Sequence, residues 1–263
     1  MQEKFLEGIY YRKSYFSKKK KTLFLIHGLS SSSSAWLPYE RELSKKYNLI
    51  IPDLRGHGKS FRPKRYKDYA ITKISEDLYK ILKNEKINKF VIVGHSFANL
   101  VLLDFLEKHQ NIVEKVIFIN PDYVPDKRMG TRVIRRLLFF MPFFDYFPNK
   151  KIGGHIDYKN YIETGDWNLR RLFVDIKNTG FKSYLNFSRQ AGYFSAENFL
   201  KKIKMPTLII GGKIDSIFPI KCAEDMSKII KNSKLVIIEK ADHLIVLNWE
   251  KRLIKEINDF LDK

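Results

Sequence analysis

The chain has 263 residues, 44% of them hydrophobic, enough for one large α/β domain with an insertion and a sizeable core, which excludes disorder as its main state. Its one cysteine, Cys222, excludes an intramolecular disulfide and fits a reducing compartment. The net charge of +20 is spread along the whole chain, densest at residues 18–21 and at Arg62, Lys64, Arg65 and Lys67, with no accompanying nucleic-acid signature.

That charge reads as a lysine-rich solvated surface. No nucleic-acid partner is expected, while weak attraction to an anionic membrane surface or an anionic substrate is compatible with it. The N-terminus, MQEKFLEGIYYRK, carries charges where a signal peptide would place its apolar region, so a cytoplasmic location is expected. Residues 5–15 alternate loosely and predict a hairpin at a sheet edge.

Apolar, strand-like runs follow at residues 22–26, 49–51, 90–93, 116–119, 207–210 and 235–238. Helical patterns lie between most of them, at residues 35–46, 74–83, 97–109, 220–231 and 249–261. The serine run at residues 30–34 predicts a loop whose hydroxyl caps the next helix. Alternating strands and helices, with strands apolar on both faces, predict a mostly parallel sheet covered by helices on both sides. The alternation stops after the strand at 116–119. Residues 121–201 are mostly helix-like, rich in Phe, Tyr and Arg, and broken at Pro125, Gly130, Pro142, Pro148 and Gly153. They predict a helical insertion in a core formed by residues 1–120 and 202–263.

The stretch KFVIVGHSFANLVLLDFL passes from strand to helix within three residues, with Ser96 at the corner. A turn that sharp strains a backbone position, and such strain concentrates at functional sites. A serine hydroxyl there needs a neutral imidazole to take its proton, and the imidazole needs a carboxylate to fix its tautomer. Asp215 follows the strand at 207–210 within GGKID, whose glycines permit a tight turn ahead of the carboxylate. His243 follows the strand at 235–238, so both emerge at the same sheet edge as Ser96. Asp122, after the strand at 116–119, is the rival acid. Asp242 reads as a surface residue. No GxGxxG, P-loop, CxxC or HExxH arrangement occurs, so neither a cofactor nor a metal is implied.

These features resemble the α/β-hydrolase superfamily. Gly94-His95-Ser96-Phe97-Ala98 is similar to its G-x-S-x-G nucleophile elbow, with Ala98 in place of the last glycine, and the order serine, acid, histidine is the family's. LFLIHGLSSS resembles its His-Gly loop. Asp53, Arg55, Gly56, His57, Gly58 and Ser60 match its D-x-R-G-H-G-x-S segment, a loop-shaping device in the family. The resemblance implies an α/β-hydrolase fold with a helical cap and a Ser96–His243–Asp215 triad. It also implies an oxyanion hole from the backbone N–H groups of Leu29 and Phe97.

The function expected is hydrolysis of a small apolar carboxylic ester through an acyl-enzyme, as in carboxylesterases and lipases. Alternatives on the same triad are C–C bond or peptide hydrolysis, or a ligand-sensing protein with slow turnover. Dehalogenases and epoxide hydrolases use an aspartate nucleophile, and Ser96 argues against both. Phe139, Phe140, Phe143, Phe144 and Phe147 are the candidate lining of an apolar acyl pocket, with Arg132, Arg135 and Arg136 at its rim.

Overall fold

Among the residues described, 1–125 and 152–262, eight strands form one sheet in the computed structural model. They are β1 (Gln2–Leu6), β2 (Ile9–Lys13), β3 (Thr22–Ile26), β4 (Asn48–Pro52), β5 (Phe90–His95), β6 (Val113–Ile119), β7 (Thr207–Gly212) and β8 (Ser233–Ile238). The spatial order is β1-β2-β4-β3-β5-β6-β7-β8. The first two form the expected edge hairpin, antiparallel to each other and to β4, and every later pairing is parallel.

Alternate side chains of the central strands feed two cores, as the period of two requires. Phe24, Ile26 and Ile92 pack with α2 (Ile71–Asn84) and α3 (Ala98–His109) on one face. Leu23, Leu25, Val91 and Val93 pack on the other with α1 (Leu37–Lys46) and the C-terminal helix α9 (Glu250–Leu261). The chain leaves β3 for β4 on one side and leaves β5 for β6 on the other. The connections therefore diverge between two neighbouring strands, which opens a crevice at their carboxyl ends, the place where such sheets take ligands.

The serine run departs from expectation. Ser32, Ser33 and Ser34 are buried, and no hydroxyl caps the short 3₁₀ helix Ser33–Trp36 that they open. Instead the Ser32 and Ser34 hydroxyls pair at 2.8 Å, and the Ser33 N–H donates to Asp53 at 2.7 Å. Burial leaves these polar groups bonded to one another and to Asp53 in place of a helix cap.

The Asp53 segment shapes a loop. Its carboxylate also accepts from the Lys59 N–H at 2.7 Å and from His155 Nε2 at 2.9 Å. Burial alone would raise its pKa, but the contacts with His155, His27 and Ser33 together outweigh that and pull it down to about 2. Gly58 has φ +46°, and a Cβ there would lie 2.1 Å from Asp53 Oδ2, so both backbone and carboxylate require glycine.

Between β6 and β7 the described residues contain no strand. They form a 3₁₀ turn Tyr158–Tyr161 and helices α4 (Leu169–Thr179), α5 (Phe181–Gly192) and α6 (Glu197–Leu200). Phe187 of α5 stacks on His57, with centroids 5.0 Å apart, which docks this segment on the Asp53 loop. No helix among the described residues is long and apolar enough to cross a membrane.

Candidate active site

Strand β5 continues through Gly94 and His95, two residues further than expected, because both pair in register with Phe118 and Ile119 of β6. Ser96 then takes φ +56°, a left-handed conformation that costs a non-glycine residue about 1–3 kcal/mol. Its N–H donates to Ile119 at 3.0 Å, and its carbonyl accepts from the Asn99 N–H at 2.9 Å, which starts α3. Strand and helix meet closely here. A Cβ at Gly94 would lie 2.8 Å from Leu102 Cδ2. Ala98 is fully buried, so the sequence's one departure from the elbow pattern is accommodated without exposing the methyl.

The loop after β7 (to α7, Ile220–Ile229) carries Asp215, and the loop after β8 (to α8, Ile245–Asn248) carries His243. Ser96 Oγ lies 2.7 Å from His243 Nε2, and His243 Nδ1 lies 2.7 Å from Asp215 Oδ2. A carboxylate only accepts, so Nδ1–H donates to Asp215 and Nε2 is left to accept the Ser96 proton. The N–H groups of Ile217 and Phe218 donate to the other Asp215 oxygen at 2.8 and 2.7 Å and hold the carboxylate in place.

Asp122 is fully buried and its Oδ1 accepts from the N–H groups of Tyr123 at 2.7 Å and Val124 at 3.1 Å, forming its own turn. Asp242 is only partly exposed, short of the free surface position expected. It is half-buried, its Oδ1 accepts from the Leu244 N–H, and burial together with nearby Asp166 raises its pKa.

The glycines of GGKID serve close approach and not a turn. Both lie in β7, and a Cβ on Gly212 would meet the Ala241 and Asp242 carbonyl oxygens at 2.5 and 2.7 Å. Gly212→Ala should therefore push the His243 loop off β7. The expected cost is about 2 kcal/mol, a fall in Tm of about 4–8 °C. Misplacement of His243 should lower kcat by at least about tenfold. Calorimetry and initial rates on the same preparation check both.

Leu29 and Phe97 line the same cavity as Ser96 and His243, and among the described residues neither backbone N–H donates to another backbone carbonyl. Leu29 follows β3 and Phe97 precedes α3, so these two amides flank the crevice at the divergence of the sheet. The cavity has a volume of about 610 Å³. Trp167, Leu172, Phe218, Leu244 and Leu247 make much of its wall apolar. Phe139, Phe140, Phe143, Phe144 and Phe147, with Arg132, Arg135 and Arg136, lie outside the described residues.

Several site residues carried no sequence signal. His95 is the variable position of the elbow, yet its Nε2–H donates to the His243 carbonyl at 2.9 Å. Burial, reinforced by His243, lowers its pKa to about 3 and keeps the ring neutral. Asn120, at φ +44°, joins β7 to the histidine loop by accepting from the Gly212 N–H at 2.7 Å and donating to the Asp242 carbonyl at 3.0 Å. In the cavity wall, Arg171 pairs with Asp175 at 2.6 Å, and the Tyr158 hydroxyl reaches Ser31 Oγ at 3.1 Å. Burial raises the Asp175 pKa to about 6 despite the adjacent guanidinium. Among the described residues no group of His, Cys, Asp and Glu side chains could hold a metal ion.

Residues 21–248 match the family described as the alpha/beta hydrolase fold. The chain belongs to the α/β-hydrolase family. Among curated proteins it is 25% identical to Epoxide hydrolase 1 of Caenorhabditis elegans, over 94% of this chain and 66% of that protein. It is 24% identical to Monoacylglycerol lipase ABHD6 of Bos taurus, over 92% of this chain and 75% of that one. Among solved structures, the enol-lactonase of Burkholderia xenovorans LB400 superposes with a TM-score of 0.75 over the full length of both chains at 20% identity, which shows a shared fold. The names of these similar proteins differ, an epoxide hydrolase, a monoacylglycerol lipase and an enol-lactonase.

Proposed function

We propose that this α/β hydrolase is a serine hydrolase that cleaves carboxylic esters through an acyl-enzyme. The observation that carries the reading is the unbroken hydrogen-bond line from Ser96 through His243 to Asp215, each contact 2.7 Å. In the first step Ser96 Oγ attacks the ester carbonyl carbon and its proton passes to His243 Nε2. The carbonyl oxygen becomes an oxyanion between the N–H groups of Leu29 and Phe97, donors of a kind worth about 2.7–4 kcal/mol each. Collapse breaks the C–O bond, and His243 returns the proton to the leaving alkoxide. Water, deprotonated by His243, then attacks the acyl-Ser96 ester and releases the acid.

The nematode relative's name raises epoxide opening as a competitor. A serine that opened an epoxide would be left as an ether, with no acyl carbon for water to attack, and turnover would stop. The hydroxyl at position 96 therefore favours acyl transfer. The test is hydrolysis of p-nitrophenyl butyrate beside styrene oxide by the purified chain. A burst equal to the enzyme concentration and steady turnover of the ester are expected, with no diol from the epoxide. Diol formation would establish the competitor, and a few slow ester turnovers would indicate a ligand sensor.

The same reading gives the substrate its apolar character. Helices α4 and α5 would act as a cap over Ser96, and the wall made by Trp167, Leu172 and Phe218 would take the acyl chain. Each methylene desolvated is worth about 0.8 kcal/mol, about fourfold in kcat/KM. Specificity should rise with acyl length until the cavity fills and then fall. The basic surface offers the opposite expectation, recruitment of an anionic substrate or of an anionic membrane, which weakens as salt rises whereas apolar burial does not. A flat length profile with a strongly salt-sensitive preference for an anionic ester would overturn the apolar reading.

A further inference from the structure

Two separate loops must keep their register for Asp215 and His243 to stay 2.7 Å apart. Both are tied to one side chain that belongs to neither. Asp166, in the segment between β6 and β7, accepts from the His243 backbone N–H through Oδ1 at 2.8 Å. Its Oδ2 accepts from the N–H of Ser216, the residue after Asp215, at 3.0 Å, and from the Ser216 hydroxyl at 2.7 Å. Its backbone carbonyl in turn accepts from Arg171 Nη2 at 3.0 Å, and Arg171 is anchored by Asp175. The carboxylate is buried, at 7% residue exposure. Burial of an ionised carboxylate is unfavourable unless its lone pairs are satisfied, and here they are satisfied by the main chain of the two loops whose spacing matters.

We propose that Asp166 is a positioning residue for the Ser96–His243–Asp215 line, a clip through which the segment outside the sheet sets the distance between base and acid. This rests on the serine-hydrolase reading above. The clip also couples the cavity to the chemistry. Trp167, the next residue, lines the cavity, so a ligand pressing on that wall bears on the chain segment that holds both loops. His95 and Asn120 hold the histidine loop from the sheet side, and Asp166 holds it from the other.

The test compares Asp166→Ala and Asp166→Asn with wild type and with Ser96→Ala, measuring KM, Tm and kcat per site titrated with a fluorophosphonate. Titration removes misfolded protein from the comparison. For Asp166→Ala, kcat per titrated site should fall by about 30–100-fold, and because Asp166 itself lines the cavity KM should shift too, but by less than kcat. Asp166→Asn keeps one oxygen for the His243 N–H but turns an amide N–H₂ toward Ser216, and should recover to within about tenfold of wild type. A lower Tm with unchanged kcat per titrated site in either variant would reduce Asp166 to a structural role and overturn the proposal. Should the alanine variant fail to fold, the asparagine variant decides alone by the same criterion. Labelling and turnover that persist in Ser96→Ala would instead overturn the serine reading itself, and this inference with it.

Discussion

Ser96→Ala is expected to abolish fluorophosphonate labelling and to lower kcat on p-nitrophenyl butyrate by about 10⁶-fold, leaving only the residual catalysis of the oxyanion donors and of binding. The change removes one oxygen and little else. Ser96 already sits at φ +56° as a non-glycine residue, so alanine inherits the same backbone strain and adds none. Its backbone bonds to Ile119 and Asn99 do not involve the hydroxyl. The Cβ that Gly28 approaches is retained, since a Cβ added at Gly28 would meet that of Ser96 at 3.2 Å. Stability should therefore stay within about 1 kcal/mol of wild type, which separates lost chemistry from lost fold. His243 Nε2 loses its proton donor but faces a cavity in which water can replace it. The readouts are intact-protein mass after probe treatment, initial rate and Tm. A covalent adduct on the alanine variant, or a rate within tenfold of wild type, would move the nucleophile elsewhere.

The parts of the site legible in sequence are those fixed by the strands. Once β5, β7 and β8 are recognised as parallel, the residues that follow them must share one edge, and Ser96, Asp215 and His243 fall there without further information. The corner itself is legible because only Ser96 and Phe97 separate β5 from α3. What was not legible depends on contacts between distant segments that no local period encodes. Asp166 stands in TGDWN, which reads as an ordinary turn, yet it bonds to His243, 77 residues away. His95 lies past the expected end of the strand, as the variable residue of the elbow, and only the folded sheet reveals that its ring reaches the His243 carbonyl. Arg171 and Asp175 are an i, i+4 pair on α4, a spacing common on solvated helix faces, but here that face is turned into the cavity wall. The serine run misled because hydroxyl capping is a local rule, and burial against Asp53 gave its polar groups better partners.

Asp215→Asn is expected to lower kcat by about 10⁴-fold while Asp122→Asn leaves it within about threefold, and the comparison tests the order of the triad along the chain. In wild type, Asp215 Oδ1 takes the N–H groups of Ile217 and Phe218, so that oxygen is fixed in orientation. An asparagine there must keep its carbonyl toward those two donors, because an N–H₂ group would face them with nothing to accept. Its amide nitrogen then occupies the Oδ2 position, 2.7 Å from His243 Nδ1. Two N–H groups cannot share that contact, so the imidazole shifts its proton to Nε2. In that tautomer Nε2 donates to Ser96 Oγ and cannot accept its proton, and the nucleophile is no longer activated. KM should change little, because the carboxylate does not line the cavity. Asp122 differs in what its oxygens do. Its Oδ1 receives the Tyr123 and Val124 N–H groups, and asparagine supplies the same carbonyl acceptor in the same place. The cost there falls on stability, about 1–2 kcal/mol for loss of charge-assisted bonding at a fully buried site. Measuring kcat, KM and Tm for both variants separates the two carboxylates. A crippled Asp122→Asn with full thermal stability, beside an Asp215→Asn of near wild-type rate, would place the orienting acid after β6 and not after β7.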